Sequence, residues 1–377
     1  MATDKTHKIP NAPNLRFPEF SGEWKESLLQ DVATLSKGAG ISKEQLSKEG
    51  NPCILYGELY TKYNSEVITE IYSRTNVDLK NLVLSKKNDV IIPSSGETAI
   101  DISTARCVPF DNIFLGGDLN IIRLNGHDGR FLSYQLNGVR RLDVAKVAQG
   151  VSVVHLYGES LRRLKVRFPR KEEQEKIAAF MTVVDERIQT QIGAINKHES
   201  LIKAIAGELT CEGEKVRLAD LVDCHSSTMQ ENDITNDGPY PVYGATGICG
   251  YTDSPMCKED AIIIVKDGSG VGNIKFVSGG FSILGTLCYL TAKQDVSIGY
   301  VYCCLVNFDF SPYKTGMAIP HIYFKDYGKG EINIKNAAEQ QKTRTLVLSL
   351  MNKLDVERQL LKQYKLQKQY LLSQMFV

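Results

Sequence analysis

In this 377-residue chain, the stretch nearest to ligand chemistry is DGSGVGN at 267–273. Its glycines could bring backbone N–H groups close to a phosphate, as phosphate-cradling loops do. Such loops lead into a helix and carry a P-loop Lys; this one runs into IKF, a strand pattern, and lacks that Lys. It reads as a turn beside a ligand or a DNA backbone, not as a nucleotide site. Histidines offer acid–base chemistry, and His155 and His321 recur in similar settings, HLY and HIY. Neither has a partner nearby in sequence, so both read as structural. His127-Asp128 sits in a polar turn, and Glu23-Trp24-Lys25 has the tail of a nuclease motif without its upstream Pro-Asp. The chain has no GxxxxGK[ST] and no methyltransferase motif of the acidic-Pro-Pro-aromatic or Asn-Pro-Pro-aromatic kind. Its nine cysteines contain no CxxC, which predicts reduced, mostly buried thiols and no metal site. The available side chains point away from a self-contained enzyme and toward binding.

The elements that would position such a binding surface occur twice. NPCILYGELY (51–60) lies over GPYPVYGATG (238–247) at an offset of 187, with Pro52 on Pro239, Tyr56 on Tyr243 and Gly57 on Gly244. GVSVVHLYGESLRRLKVRFPRKEEQEK (150–176) fits GMAIPHIYFKDYGKGEINIKNAAEQQK (316–342) without a gap at an offset of 166. Between these anchors lie DVIIPSSGETAIDI and DAIIIVKDGSGVGNI, each a β-rich run ending in a Gly/Ser loop. Upstream, SLLQDV resembles VRLADL. The order of matches is the same in both halves, so the chain is a duplicated unit.

Each copy ends in a helical pattern. After Pro169 apolar residues fall at Ile177, Met181, Val184, Ile188, Ile192, Ile195, Ile202, Ile205 and Leu209, the three-and-four spacing of a coiled-coil seam. Glu172, Glu173 and Glu175 suit the positive end of that helix dipole. In the second copy Asn336 with Glu339 forms an expected cap, and the stripe continues through Val347, Leu350, Leu354, Leu361, Tyr364, Leu371 and Met375. Arg358 and Lys368 interrupt it. Residues 170–209 carry six basic against seven acidic side chains, and 336–375 carry seven against three. An acidic helix beside a basic one favours pairing between the copies, here through Met181, Val184, Ile188 and Ile195 against Leu350, Leu354 and Leu361.

The remaining segments read as short strands with Gly, Pro and Asn punctuation. NLVLS, DVIIP, NIIRL, AIIIV, NIKFV, TLCYLTA and YVYCCLV are the strand candidates, with short helices after Trp24 and around 131–137. The expected organisation is a tail at 1–20, a module at 21–168, a helix at 169–210, a second module at 211–335 and a second helix at 336–377. The fold class is α+β. Composition is that of a soluble protein, with 42% hydrophobic residues, 24% charged residues and a net charge of +1. A near-neutral balance leaves room for a basic face matched by acid elsewhere. No apolar run is long enough for a membrane span and the N-terminus is polar, which predicts a cytoplasmic protein.

A duplicated β-rich module followed by FPRKEEQEKIAAFMTVVDERI, and again by NIKNAAEQQKTRTLVLSLMNKL, resembles the specificity subunit of type I restriction–modification enzymes. NLRFPEFSGEW and YPVYGATGICGY are similar to the wording of that family. The resemblance covers nearly the whole chain; Lys335 stands in place of Pro169, and Met351 in place of Asp185. It implies two target-recognition domains alternating with two helices that pair as an antiparallel coiled coil, with pseudo-two-fold organisation. Each domain would read one half of a bipartite asymmetric DNA site. Two methyltransferase subunits and further nuclease–translocase subunits would supply adenine methylation and cleavage for phage defence. S-adenosylmethionine, ATP and Mg would be bound only by those partners, and this chain would carry no catalytic residue or metal. The DNA-contact candidates are polar or basic residues near the repeated turns: Tyr56, Ser94, Ser95, Arg106, Arg123 and Arg130 in the first module. In the second they are Tyr243, Thr246, Lys266, Ser269, Asn273, Lys275 and Lys314. The competing readings are a coiled-coil DNA-binding adaptor of another methyltransferase system and a fused restriction-methylation enzyme.

Overall fold

The computed structural model describes residues 11–77, 82–150, 153–235, 237–293 and 296–377. The chain divides into two compact units, Met1–Gln191 with Leu360–Val377, and Ile192–Gln359. Each unit therefore contains one β-rich module and a portion of both long helices.

In the first unit a four-stranded antiparallel sheet has the order Ala33–Lys37, Leu119–Leu124, Asp89–Pro93, Arg106–Val108. Asp89–Pro93 is buried along its whole length because both faces of the sheet are covered. Val90 and Ile92 enter the cluster built with Trp24, Phe131 and Leu132, whereas Ile91 enters the one built with Ile54, Leu59 and Leu115. An uninterrupted apolar run is what a strand covered on both sides requires. The second unit repeats the plan with Val222–Ser226, Leu287–Ala292, Ala261–Val265 and Ile274–Val277. There Ile262 and Ile264 face one cluster, and Ala261, Ile263 and Val265 the other. The two Tyr-Gly segments that match in sequence also match in topology. Asn51–Ile54 pairs parallel with Phe114–Leu115, and Tyr240–Gly244 pairs parallel with Ser282–Ile283.

One expected strand is a helix. Ile298–Leu305, which takes in all of the YVYCCLV run but its last residue, is α-helical and capped by the Ser297 hydroxyl accepting from the Tyr300 N–H. Every residue of it is buried, so no polar face marks the helical period, and β-branched and aromatic content imitates a strand. After Trp24 the chain forms the strand Lys25–Leu28 before the short helix Leu29–Val32. The second predicted short helix is present as Gly129–Asn137.

Each module leads into its long helix through a two-stranded antiparallel ribbon, Lys25–Leu28 with Lys165–Phe168 and Glu214–Arg217 with Glu331–Ile334. The helices are Lys171–Thr210 and Ala337–Met375. At 1.5 Å per residue each is roughly 60 Å long. Glu173 is engaged by more than the helix dipole: its buried carboxylate accepts from Arg16 Nε and Nη2 at 2.8 and 2.7 Å and from Trp24 Nε1 at 3.3 Å. Asn336 caps the second helix, its Oδ1 accepting from the Glu339 N–H at 3.1 Å.

Helix pairing is antiparallel in each unit. In the first, Met181 and Val184 share a cluster with Leu371, Leu372 and Met375. Asp185 meets Lys368 at 2.6 Å, and the Arg187 guanidinium lies 4.4 Å from the Tyr364 ring centre. In the second, Glu199 accepts from Arg358 at 2.7 Å, and the Thr210 carbonyl accepts from Asn333, just before the other helix, at 2.9 Å. Met181, Ile188, Ile195 and Leu354 are buried, and Val184, Leu350 and Leu361 are half-buried. The two residues that break the second stripe thus have partners: Arg358 has Glu199, and Lys368 sits between Asp185 and Glu66. The Tyr134 hydroxyl donates to Asp185 at 2.8 Å. Burial and then the charge of Glu66 push the Asp185 carboxyl up to about 6, and Lys368 offsets only part of this. Glu66 moves the other way: burial raises its pKa, but Lys368 and Arg106 outweigh that and hold it below the ordinary value.

Candidate nucleic-acid interface

The two modules build the same local device from matched residues. In the first, the buried strand Asp89–Pro93 emerges at Ser94, and Ser95–Gly96 pairs with Val154–His155. The Leu156 N–H donates to the Ser94 carbonyl at 2.9 Å, and His155 exchanges two backbone hydrogen bonds with Gln149. In the second, Ala261–Val265 emerges at Lys266, and Asp267 forms a bridge to His321. The Ile322 N–H donates to the Lys266 carbonyl at 2.9 Å, and His321 exchanges two bonds with Thr315. Each hairpin begins at a glycine of positive φ, 125° at Gly150 and 88° at Gly316. A Cβ there would stand 2.1 Å from the Val153 carbonyl oxygen or 2.3 Å from that of Ile319, so only glycine closes the turn. A rigid strand end thereby holds a polar loop and a hairpin side by side.

The hairpins present exposed apolar and aromatic side chains: Val153 and Tyr157 in the first module, and Met317, Ile319 and Tyr323 in the second. Among the second-module candidates, Tyr243, Thr246, Asn273 and Lys275 line one small pocket of about 190 Å³, with Lys275 Nζ 5.2 Å from the Tyr243 ring centre. Ser269 and Lys314 are exposed, and Lys266 Nζ lies 3.7 Å from Asp267. In the first module Tyr56 and Ser95 line a cleft of about 540 Å³ with Glu97 and Asp101. Tyr56 also borders a larger one of about 1000 Å³ together with Lys43, Glu44 and Asp118. Hydroxyls, amides and cations on exposed loops suit contacts to phosphates and base edges.

Four first-module candidates are committed to the protein itself. Arg106 is buried, its Nε and Nη2 donating to the Tyr63 carbonyl at 3.2 and 2.8 Å, and burial lowers its pKa. Ser94 is also buried, with its hydroxyl 3.4 Å from Asp118. Both side chains are turned into the module, away from solvent. Arg123 pairs bidentately with Asp89, at 2.8 and 2.7 Å, and Arg130 with Asp128, the cap of the helix Gly129–Asn137, at 3.2 and 2.7 Å. Their cations are neutralised locally, which weakens them as phosphate contacts. Sequence reasoning also missed a pair: His321 Nδ1 lies 2.8 Å from Asp267 Oδ1, across 54 residues of chain. The signal available was that His155 and His321 match while Ser95 and Asp267 differ at the position facing them.

No helix among the described residues is long and apolar enough to cross a membrane. The family model for the type I restriction modification DNA specificity domain matches residues 21–197 and again 212–365. A curated Mycoplasma genitalium protein named as a type I specificity subunit is 22% identical over 359 residues, covering 88% of each chain. The crystal structure of a type I restriction–modification S subunit from M. genitalium superposes with a TM-score of 0.68 at 19% identity, covering 97% of this chain and 99% of that one. A chain from a structure addressing complex assembly and conformational transition of a type I restriction–modification system gives 0.52 at 16% identity, covering 94% and 97%. Two copies of the matched domain, each with its strand-end loop, hairpin and long helix, account for nearly all of the described residues: the chain belongs to the type I restriction–modification DNA specificity family.

Proposed function

We propose that this chain is the DNA-recognition subunit of a type I restriction–modification complex, reading a bipartite asymmetric site with one half assigned to each module. The observation that carries this reading is the duplicated loop-and-hairpin device within two matched specificity domains. The same construction recurs while the residues that face outward differ. Matched scaffolds with different outward residues suit two different half-sites. The paired helices would carry two methyltransferase subunits, which flip and methylate adenine outside the duplex stack. Nuclease–translocase subunits would join them for cleavage of unmodified DNA in the cytoplasm. S-adenosylmethionine, ATP and Mg belong to those partners in this scheme.

Mapping adenine methylation in a host with this chain and its methyltransferase partner, and in the same host lacking this chain, tests the reading. The expected result is one interrupted, non-palindromic sequence methylated only when both proteins are present. Methylation by the isolated chain, or a sequence that is unchanged when this chain is removed, would overturn it. DNA binding should also weaken with salt, log affinity falling by about 0.9 per phosphate neutralised for each unit of log concentration.

A further inference from the structure

We infer that His321, oriented by Asp267, reads an exocyclic amino group, of adenine or cytosine, in the half-site assigned to the second module. The inference deepens the recognition-subunit reading and rests on it. His321 lies in a hairpin that its two main-chain bonds to Thr315 close, and the Ile322 N–H ties that hairpin to the strand end at the Lys266 carbonyl. Its backbone position is therefore held on both flanks. Gly316 makes the same point sterically: a Cβ there would come within 3.2 Å of His321 Cδ2, so the ring packs directly against the turn.

The ring orientation is set as well. An ionised carboxylate only accepts hydrogen bonds, so Asp267 Oδ1 at 2.8 Å from Nδ1 places the proton on that nitrogen. Of the two neutral tautomers this contact selects the one whose Nε2 carries no proton and accepts a hydrogen bond. His321 is about one-third exposed, and Lys266 Nζ lies 3.7 Å from the other oxygen of the same Asp267 carboxylate. In the major groove, adenine N6 and cytosine N4 offer donors to an acceptor, whereas guanine O6 and N7 and thymine O4 do not. A ring fixed this way discriminates by the hydrogen bond it accepts and by the repulsion it meets from another acceptor.

The first module shows what the carboxylate adds. His155 occupies the matched position, but Ser95 faces it in place of Asp267, and its ring lies beside Tyr157, with centres 6.1 Å apart. Among the described residues no carboxylate bonds its ring, and it serves as the internal control.

The test uses the full chain co-expressed with its methyltransferase partner in a host free of adenine methylation, with methylated sequences mapped genome-wide. Variants are Asp267→Asn, His321→Ala and His155→Ala, each checked for folding by thermal unfolding. Asp267→Asn and His321→Ala should each relax one base pair of the second half-site, reducing discrimination there about tenfold. The first half-site should stay as in the wild type. His155→Ala should leave the second half-site intact. Unchanged preference at every position in both Asp267→Asn and His321→Ala overturns the assignment. Equal relaxation of both half-sites does so too, as does loss of all methylation in both variants, because the hairpin would then carry structure and not sequence information. A wild-type complex that methylates no two-part site would instead refute the recognition-subunit reading itself.

Discussion

Replacing Lys368 by Met removes the cation that stands between two buried carboxylates in the first unit. Its Nζ lies 2.6 Å from Asp185 and also contacts Glu66, and all three side chains are largely hidden from solvent. Breaking a buried ion pair by deleting one partner costs about 3–5 kcal/mol, because the remaining charge is left desolvated. Here two like charges remain. Burial and then Glu66 already lift Asp185 from 3.8 to about 6 with the cation present. A raised carboxylate pKa means that the folded state binds the proton more tightly than the unfolded chain does. The penalty from Asp185 therefore grows as pH rises from about 4 to about 6. Glu66, held low, acts in the opposite sense and partly offsets it. Without Lys368 the two carboxylates share a proton only if Asp185 titrates still higher, so the variant's penalty keeps growing above pH 6. The chain has one tryptophan, Trp24, buried in the same core, so its fluorescence follows this unit alone. Lys368→Met should lower that transition by about 10 °C at pH 8 and by less than half as much at pH 5.5. Adding Glu66→Gln and Asp185→Asn should recover most of the loss. Equal losses at the two pH values, or a loss below about 1 kcal/mol, would refute the reasoning.

Met181→Lys puts a charge into a fully buried seam position and should cost more than about 3 kcal/mol, while Lys197→Ala on the exposed face should be near neutral; chemical denaturation compares them. Arg16→Ala leaves the buried Glu173 carboxylate with Trp24 as its one side-chain partner among the described residues, and should cost about 2–4 kcal/mol and open the segment 11–23 to limited proteolysis. Gly316→Ala strains a turn at a φ of 88° and should weaken DNA binding through the second half-site, with little change at the first, as read by competition with duplexes altered in either half.

The duplication was legible from the sequence because it rests on order and identity of short segments, which survive without coordinates. The long helices were legible because Ile177, Met181, Val184 and Ile188 repeat at a period that belongs to one local structure. Ala261–Val265 read as a strand for the same reason, its apolar run being short and bounded. Ile298–Leu305 did not read as a helix, since burial on every side erases the period. The larger gap concerned partners. Lys368 looked like a flaw in a stripe until Asp185 and Glu66 closed around it, and Arg106 looked like a DNA contact until Tyr63 accepted its guanidinium protons. His321 looked structural, and its carboxylate lay 54 residues away. Local sequence determines period, turn and cap, because those interactions join residues a few positions apart. Which charges are neutralised, which polar groups are left to face outward, and therefore which side chains can reach DNA depend on contacts between distant segments, and only the tertiary structure brings those together.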